Sequence, residues 1–260
     1  STLYAASDAA LDTAYVYTID ASKEPALITE RRALKRDGAI AEGLDIEGLS
    51  QRDHGGFWLA SEGKSGAENR LVRTDADLNI QEEIALPEDV SAHIGKWGLE
   101  GIDARINEKG EEEVFVAIQR PLWKDASAKP LEAQEGNVAR IGRYNTTTKA
   151  WNWYTVELTA TDTKGDWMGL SELTIVGDTL VLIERDKLNG PDAKVKQLVQ
   201  VALPSEDDVA AANGAPIALD KGKVLDVLPK LRATGGWTQE KLEGFTVAKD
   251  GSMYAVTDND

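Results

Sequence analysis

The chain has 260 residues, of which 42% are hydrophobic and 28% charged, as in an ordinary soluble domain with a sizeable core. Its net charge of −16 argues against binding to nucleic acid or to an anionic membrane surface, and it permits cations as partners. The absence of cysteine excludes disulfides and thiolate metal sites, and no apolar run approaches the roughly 18 residues of a membrane span.

The first predicted strand covers residues 2–8. It resembles a strand near the other end of the chain, at residues 253–258. In the later copies a glutamate precedes the polar end of the matching strand by 12 to 19 residues, so the glutamate that matches Asp8 would lie before residue 1. The chain also ends directly after a strand. We therefore expect a chain that begins and ends inside repeat units, with the missing strands supplied by another chain or lost by proteolysis.

Four stretches share one pattern, in which a short apolar strand with a glutamate leads through a turn to a second strand with a polar end. They begin with Asp45-Ile-Glu-Gly-Leu, Gly98-Leu-Glu-Gly-Ile, Gly169-Leu-Ser-Glu-Leu and Lys241-Leu-Glu-Gly-Phe. The anchoring glutamates are Glu47, Glu100, Glu172 and Glu243, at spacings of 53, 72 and 71 residues. Self-similarity at such a period indicates a repeat architecture.

Alternating β-branched or aromatic segments complete these units, at residues 14–19, 26–34, 69–74, 80–86, 138–144, 151–158, 195–203 and 223–228. Each complete unit has about four short strands, which is typical of a β-propeller blade. We predict a single all-β propeller domain with repeat units over about residues 1–43, 44–96, 97–167, 168–240 and 241–260, two of them partial. Residues 206–213 are predicted as one or two helical turns, and residues 124–136 and 204–221 as polar loops on one face.

Three tryptophans, Trp97, Trp167 and Trp237, precede an anchoring glutamate by 3, 5 and 6 residues. A large ring can fill the wedge between neighbouring sheets, so we interpret these residues as packing between blades. Stacking on a substrate is the alternative interpretation.

Several of these motifs resemble the phytase-like β-propeller family, which is described by an esterase-like activity of phytase. The residues that carry the resemblance are Asp45-Ile-Glu-Gly-Leu, Trp58-Leu-Ala-Ser-Glu-Gly, Gly98-Leu-Glu-Gly, Gly169-Leu-Ser-Glu-Leu, Glu184-Arg-Asp with Lys194 and Lys196, Lys241-Leu-Glu-Gly and Asp258-Asn-Asp. The resemblance implies a bacterial exported protein, periplasmic or secreted, with a propeller of five or six blades and a calcium-dependent phosphoesterase activity.

The innermost strand of each propeller blade lines a central channel, so the anchoring glutamates would gather around one axis. Carboxylates held so close together cannot all stay ionised without a cation or basic residues. Because only oxygen ligands are available, we predict a hard cation, Ca²⁺ first and Mg²⁺ or Mn²⁺ next. The predicted ligands are Glu47, Glu100, Glu172, Glu243 and Asp258. In the alternative, each glutamate pairs with a neighbouring arginine or caps backbone amides.

A second set of polar residues is expected at the ends of the following strands: Asp8, Glu62, Gln119, Glu184 and Asp258. Basic residues come just beyond them and would suit a phosphate or carboxylate ligand, since arginine gives bidentate contacts and lysine a point charge. We assign Arg120, Lys194, Lys196 and Lys241 to substrate binding. We assign Glu62, Glu184 and Arg185 to catalysis. In the alternative, these side chains pair with surface acids.

Two classes of function stay open. In the first, the chain is a metal-dependent phosphoric-ester hydrolase in which Glu184 or Glu62 is the general base and the basic residues hold an anionic small-molecule substrate. In the second, a non-catalytic propeller engages a protein partner through residues 124–137 and 204–222, and the ion is structural. A serine-esterase mechanism is unsupported because the sequence has no Gly-x-Ser-x-Gly elbow.

Overall fold

The computed structural model describes residues 1–8, 13–95, 97–125, 134–233 and 241–258. In these residues the chain forms antiparallel sheets arranged as the blades of a β-propeller. The prediction of an all-β propeller is confirmed. None of the described helices is both long and apolar enough to cross a membrane.

The N-terminal half contributes two blades. The first blade has the strands β1 (Thr2–Ala6), β2 (Tyr15–Asp20) and β3 (Leu27–Ala33). A short hairpin follows, made of β4 (Lys35–Arg36) and β5 (Ala39–Ile40). The second blade has the strands β6 (Asp45–Gln51), β7 (Phe57–Glu62), β8 (Arg70–Thr74) and β9 (Ile80–Ala85).

The C-terminal half contributes two more blades and a two-stranded sheet. The third blade has β10 (Leu99–Ile106), β11 (Glu112–Ile118), β12 (Val138–Asn145) and β13 (Trp151–Glu157), with β17 (Ile217–Ala218) added in parallel to β13. The fourth blade has β14 (Met168–Val176), β15 (Thr179–Asp186), β16 (Lys196–Ala202) and β18 (Lys221–Asp226). The last sheet pairs β19 (Leu242–Val247) with β20 (Met253–Thr257).

Helices in the described residues are short and lie in the connections. They are α1 (Glu88–Ser91), α2 (Glu206–Ala212) and α3 (Leu228–Ala233), with single 3-10 turns at Gly66–Glu68 and Gly190–Asp192. The helix predicted on the insertion corresponds to α2. Ser205 caps it, because its hydroxyl accepts from the backbone N–H of Asp208, whose own carboxylate accepts from Ser205.

The structure therefore has four blades of three to five strands and the separate β19–β20 pair, and a blade number of five or six is not confirmed. The division of the chain into five repeat units within one domain stays a prediction. The two insertions were expected on one face, and this is wrong. Residue 119 is bonded to Gly98 at the start of the third blade's first strand, whereas Leu203 is bonded to Asp178 in the turn at the other end of the fourth blade. Within the first insertion, residues 126–133 lie outside the described residues.

The core lies in the wedges between successive sheets, because strands such as β7, β11 and β15 are buried on both faces. In β11, Val114, Val116 and Ile118 pack in the cluster shared with the second blade, and Phe115 and Ala117 pack in the cluster shared with the fourth. Smaller clusters of the same kind join the first blade to the second and the fourth blade to the β19–β20 pair. This packing holds the first strands of neighbouring sheets side by side around the centre.

Candidate metal centre

The candidate site is built on the first strands of the second, third and fourth blades and of the β19–β20 pair, where the hydrogen-bond ladder is interrupted beside the anchoring glutamate. The register shifts between Ile46 and Gly48 in β6, Leu99 and Ile102 in β10, Leu170 and Glu172 in β14, and Leu242 and Gly244 in β19. Such β-bulges bend a strand and re-aim its side chains. Because β10 packs against both β6 and β14, and β14 against β19, these bulges lie next to one another at the centre.

Glycines beside the glutamates let these inner strands approach closely. A Cβ on Gly48 would lie 2.4 Å from the carbonyl oxygen of Glu100, and a Cβ on Gly101 would lie 2.3 Å from the backbone nitrogen of Leu173. Side chains cannot be accommodated at such distances. The Glu-Gly pairs in the sequence therefore place a carboxylate at the bulge and remove the side chain that would keep the next strand away.

Asp45, Glu47 and Glu62 form the tightest group of acids. One ligand oxygen from each lies within 4.8 Å of the others, and Asp45 is the cross-strand partner of Glu62. Burial raises the pKa of Glu47 from 4.5 to about 9, and the charges of Asp45, Glu62, Glu243 and Asp8 add to the shift. Three carboxyl groups so arranged hold fewer than three charges at neutral pH, unless a cation joins them.

Glu100 is 4% exposed and lies against the same group. Burial raises its pKa well above the usual value, with further contributions from Glu47 and Glu243, while Arg185 opposes the shift. Its carboxyl oxygen accepts a hydrogen bond from the side-chain amide of Gln119. Glu100 and Glu47 therefore belong to one electrostatic cluster.

Glu243 extends this cluster toward a basic residue. One of its oxygens accepts a hydrogen bond of 2.7 Å from Arg185, and its other oxygen, Oε2, is buried without a hydrogen-bond partner among the described residues. Burial raises the pKa of Glu243, and Arg185 and Lys241 oppose the shift. Asp258, a predicted ligand, lies close enough to raise it further, and it is paired with Lys241 at 2.9 Å.

Glu172 differs from the other three glutamates because it caps backbone amides, as in the alternative weighed from the sequence. It accepts a hydrogen bond of 2.9 Å from the backbone N–H of Leu173. Burial raises its pKa well above the usual range, and the charges of Asp103 and Glu243 add to this. Sequence reasoning missed Asp103, which accepts from the hydroxyl of Ser50 at 2.6 Å and from Ile175 N–H at 2.8 Å, and so ties three blades together.

The residue at the polar end of the second strand in the fourth blade differs from the one that the sequence alignment predicts. Register pairs Asp45 with Glu62 and Gly169 with Arg185, so Arg185, rather than Glu184, occupies the position of Glu62 in the fourth blade. A shift of one residue turns a side chain to the other face of its sheet. Glu184 is accordingly 0% exposed on the opposite side, where it accepts from Lys221 at 2.9 Å, from Gln197 at 2.8 Å and from the backbone of Thr159.

The predicted basic residues are spread over several environments. Lys196 is fully buried, and its ammonium donates to the carboxylate of Asp186 and to two backbone carbonyl oxygens. Lys194 is exposed and donates to the hydroxyl of Thr163 at 2.6 Å. Arg120 and Arg185, by contrast, are both buried and both lie over the ring of Trp167, at 4.9 and 5.6 Å from its centroid.

The tryptophans form a cluster beside these arginines. Trp97 contacts both Trp123 and Trp167, with ring centroids 6.2 and 6.1 Å apart. Trp167 stands over Gly169, where a Cβ would lie 3.0 Å from its ring. Trp97 and Trp167 remain partly exposed, and Trp237 lies outside the described residues. The tryptophan cluster therefore borders the group of inner glutamates, on the side where Arg185 pairs with Glu243.

Taken together, the centre gathers Asp45, Glu47, Glu62, Glu100 and Glu243 with Arg185, and it leaves out Glu184 and Lys196. The sequence predicted no role for Asp45, although its alignment with Gly98, Gly169 and Lys241 marks it as the acid peculiar to the second blade. The arrangement has the chemistry of a site for a hard cation, since carboxylate oxygens are in excess and one buried oxygen lacks a partner. Arg185 pairs with Glu243 at the edge of this group, and Arg120 shares the contact with Trp167.

Comparison with known proteins gives one match over the full length. The profile of a family described as "Phytase-like: Esterase-like activity of phytase" matches residues 1–260. No curated protein matches the sequence.

Two solved structures are similar in outline. One is a protein of unknown function from Bacteroides caccae, with a TM-score of 0.41 and 11% identity over 94% of this chain and 79% of that one. The other is a protein from Lactobacillus plantarum, with a TM-score of 0.36 and 12% identity over 96% of this chain and 86% of that one.

Proposed function

The chain belongs to the phytase-like family, and on that premise we propose that it is a metal-dependent hydrolase of phosphoric esters. The observation that carries the proposal is the group of Asp45, Glu47 and Glu62, whose ligand oxygens lie within 4.8 Å of one another and which is coupled to Glu243, the partner of buried Arg185. Both features suit an anionic ester, because a metal cation and an arginine each stabilise negative charge on the phosphoryl oxygens.

The residues present fit a hard divalent cation. Asp45 and Glu47 would hold it, Glu243 would supply the buried oxygen that has no hydrogen-bond partner in the described part of the chain, and Glu62 would stand beside the ion. Glu100 and Asp258 stand in a supporting position, while Glu172 is engaged with the backbone. All-oxygen ligation favours Ca²⁺, followed by Mg²⁺ and Mn²⁺. When bound, such an ion polarises a phosphoryl oxygen and lowers the pKa of its water.

Among the chain's own groups, Glu62 is the general base that we favour. It lies in the acid group, and one of its oxygens accepts a hydrogen bond from the backbone N–H of Gly98, which fixes its orientation. Glu184 is the weaker choice because Lys221, Gln197 and Thr159 already donate to its carboxylate. A proton taken from an attacking water would therefore pass to Glu62.

The substrate anion would be held by cations that border the acids. Arg185 is hydrogen-bonded to Glu243, and Arg120 and Arg185 both contact the ring of Trp167. Both guanidinium groups are therefore held in place before a ligand arrives. Lys241 and the exposed Lys194 would add charge at longer range. Lys196 is excluded from this role because its ammonium is fully buried against Asp186.

A non-catalytic propeller that binds a protein partner is the second candidate function. It is favoured by the number of predicted site residues that are engaged in ion pairs: Glu184 with Lys221, Lys196 with Asp186, and Lys241 with Asp258. In this case the ion would be structural, and the partner would contact the connections of the blades or complete the propeller.

We also propose an exported, periplasmic or secreted protein. A calcium site at the centre would be filled in a compartment with abundant free calcium, such as the extracellular space.

The test is a hydrolysis screen on phosphomonoesters, phytate and simple carboxylic esters, with and without Ca²⁺. We expect turnover of a phosphomonoester that needs the ion and falls by a factor of about 10² or more in Glu62→Gln. Glu157→Gln, a change at an exposed strand end, is the matched control and should keep wild-type rates. If no ester is turned over by protein that demonstrably binds the ion, the binding module is the better description.

A further inference from the structure

Buried polar side-chain atoms without a hydrogen-bond partner are concentrated around Trp167 and Glu243. In the part of the chain that the structure describes, five buried side-chain atoms have no hydrogen-bond partner, and four of them belong to Arg120, Gln134, Arg185 and Glu243. Buried polar groups are normally paired, so a local concentration of this kind calls for an explanation. Three of the four atoms are N–H donors.

Arg120 and Gln134 are joined directly, and Arg185 is linked to them through a shared ring contact. Arg120 donates to the side-chain oxygen of Gln134 at 2.7 Å, and both Arg120 and Arg185 lie over Trp167. The contact fixes the amide of Gln134, because an arginine can only donate and the amide oxygen must therefore face it. The amide nitrogen of Gln134 and the Nε atoms of both arginines are left without acceptors.

Arg120 also carries a positive charge that no acidic side chain neutralises through an ion pair in the described part of the chain. Arg120 is 7% exposed and forms no ion pair with any described residue, although Asp166 is near enough to act on its pKa. Burial lowers that pKa only to about 10, so the guanidinium stays charged at neutral pH. A buried cation without an anion is strongly unfavourable, and acceptors that carry negative charge would relieve it.

We propose that Arg120, Gln134 and Arg185 form a binding subsite for one oxyanion, a phosphoryl or carboxylate group. Gln134 is thereby added to the binding residues, and Trp167 is a positioning residue whose ring contacts both guanidinium groups. The inference rests on the proposed function only in taking the substrate's phosphoryl group as the natural occupant. Binding of the anion itself requires neither the cation nor turnover.

The test uses metal-stripped protein in chelator-free buffer, titrated with inorganic phosphate and, separately, with acetate. Thermal melts and tryptophan fluorescence report binding, since three tryptophans border the subsite. We expect phosphate to raise the melting temperature of the wild type, and Arg120→Met to weaken phosphate binding at least tenfold while Arg120→Lys weakens it less. Binding of acetate alone would support the subsite and assign it to carboxylates.

Arg143→Met is the matched control, because Arg143 is also buried but pairs with Glu206 at 2.5 Å and with Glu113 at 3.6 Å. Without added anion, Arg120→Met should lower the melting temperature less than Arg143→Met does, since it removes a buried charge that has no ion pair, although it also leaves the Met168 carbonyl and the Gln134 amide oxygen without their donor. The proposal is overturned if neither anion changes the wild-type melt. It is also overturned if Arg120→Met lowers stability as much as Arg143→Met does. Metal-dependent turnover is measured separately, so either proposal can fail without the other.

Discussion

Replacing Glu47 by glutamine should make the metal-free protein more stable, although it removes a group from the centre of the fold. The pKa of Glu47 is raised from 4.5 to about 9 in the folded protein, mainly by burial. Between these two values the folded chain holds a proton that the unfolded chain releases. Stability contributed by the protonated group is therefore fully present below pH 4.5 and is lost as pH rises toward 9.

At pH 7 ionisation of Glu47 stabilises the unfolded chain, because pH 7 is about 2.5 units above the pKa of this group in the unfolded state. The free energy of unfolding falls by about 3 kcal/mol, at 1.36 kcal/mol per unit. Glutamine has nearly the same shape and does not ionise, so the variant avoids this loss. For a chain of this size, about 3 kcal/mol corresponds to a rise of about 6–12 °C in melting temperature. The gain should shrink to nearly nothing at pH 4.5 and grow toward pH 9.

The assay is a series of thermal melts of metal-stripped wild type, Glu47→Gln and Glu157→Gln between pH 5 and pH 8.5. The Glu157 variant changes an exposed carboxylate and should stay within about 0.5 kcal/mol of the wild type at every pH. A Glu47→Gln variant that is less stable than the wild type, or a difference that does not depend on pH, would refute the reasoning.

Three other outcomes are expected. Gly101→Ala should lower stability by about 1–3 kcal/mol, because its Cβ would meet the backbone of the next blade at 2.3 Å, whereas Gly222→Ala, with its nearest contact at 3.2 Å, should change the chemical-denaturation midpoint little. Lys196→Met should cost about 3–5 kcal/mol in the same measurement, because it leaves the buried carboxylate of Asp186 without its ion pair, and an unchanged midpoint would show that the pair is dispensable. Calcium binding should release protons at pH 7, since the raised pKa of Glu47 keeps that carboxyl protonated until the ion displaces the proton. Calorimetry in two buffers of different ionisation enthalpy measures this release, and identical heats in both would contradict it.

The propeller and most of its inner acids could be predicted from sequence, because each Glu-Gly bulge is a local motif. Glu47, Glu100 and Glu243 meet at the centre since their strands are first in their sheets, and strand order follows from the repeat itself. Gly48 and Gly101 have a visible signal in the motif and a physical reason in the close approach of the strands.

Placement of the second-strand residues was not predictable in the same way. The end of an apolar run suggested Glu184 as the counterpart of Glu62, but register assigns that position to Arg185. Ser171 lies in the bulge of β14, so counting residues from Glu172 gives a register that is wrong by one residue. An error of one residue places a side chain on the opposite face of the sheet. The ion pair between Glu184 and Lys221 joins residues 37 apart in the chain, and no local pattern announces it.

The buried arginines illustrate the same limit of local patterns. Arg120 and Gln134 come together through a connection between β11 and β12, and their unsatisfied donors become visible only when side-chain contacts are known. The blade number also depends on how sheets close around the centre, which a repeat count does not determine.

Calorimetric titration of Ca²⁺ into metal-stripped protein tests the central claim most directly. The account predicts one ion bound per chain in the wild type, with affinity at least tenfold weaker in Glu62→Gln and unchanged in Glu157→Gln. Absence of binding to the wild type, or equal affinity in Glu62→Gln, would contradict a cation bound at the acidic group of Asp45, Glu47 and Glu62.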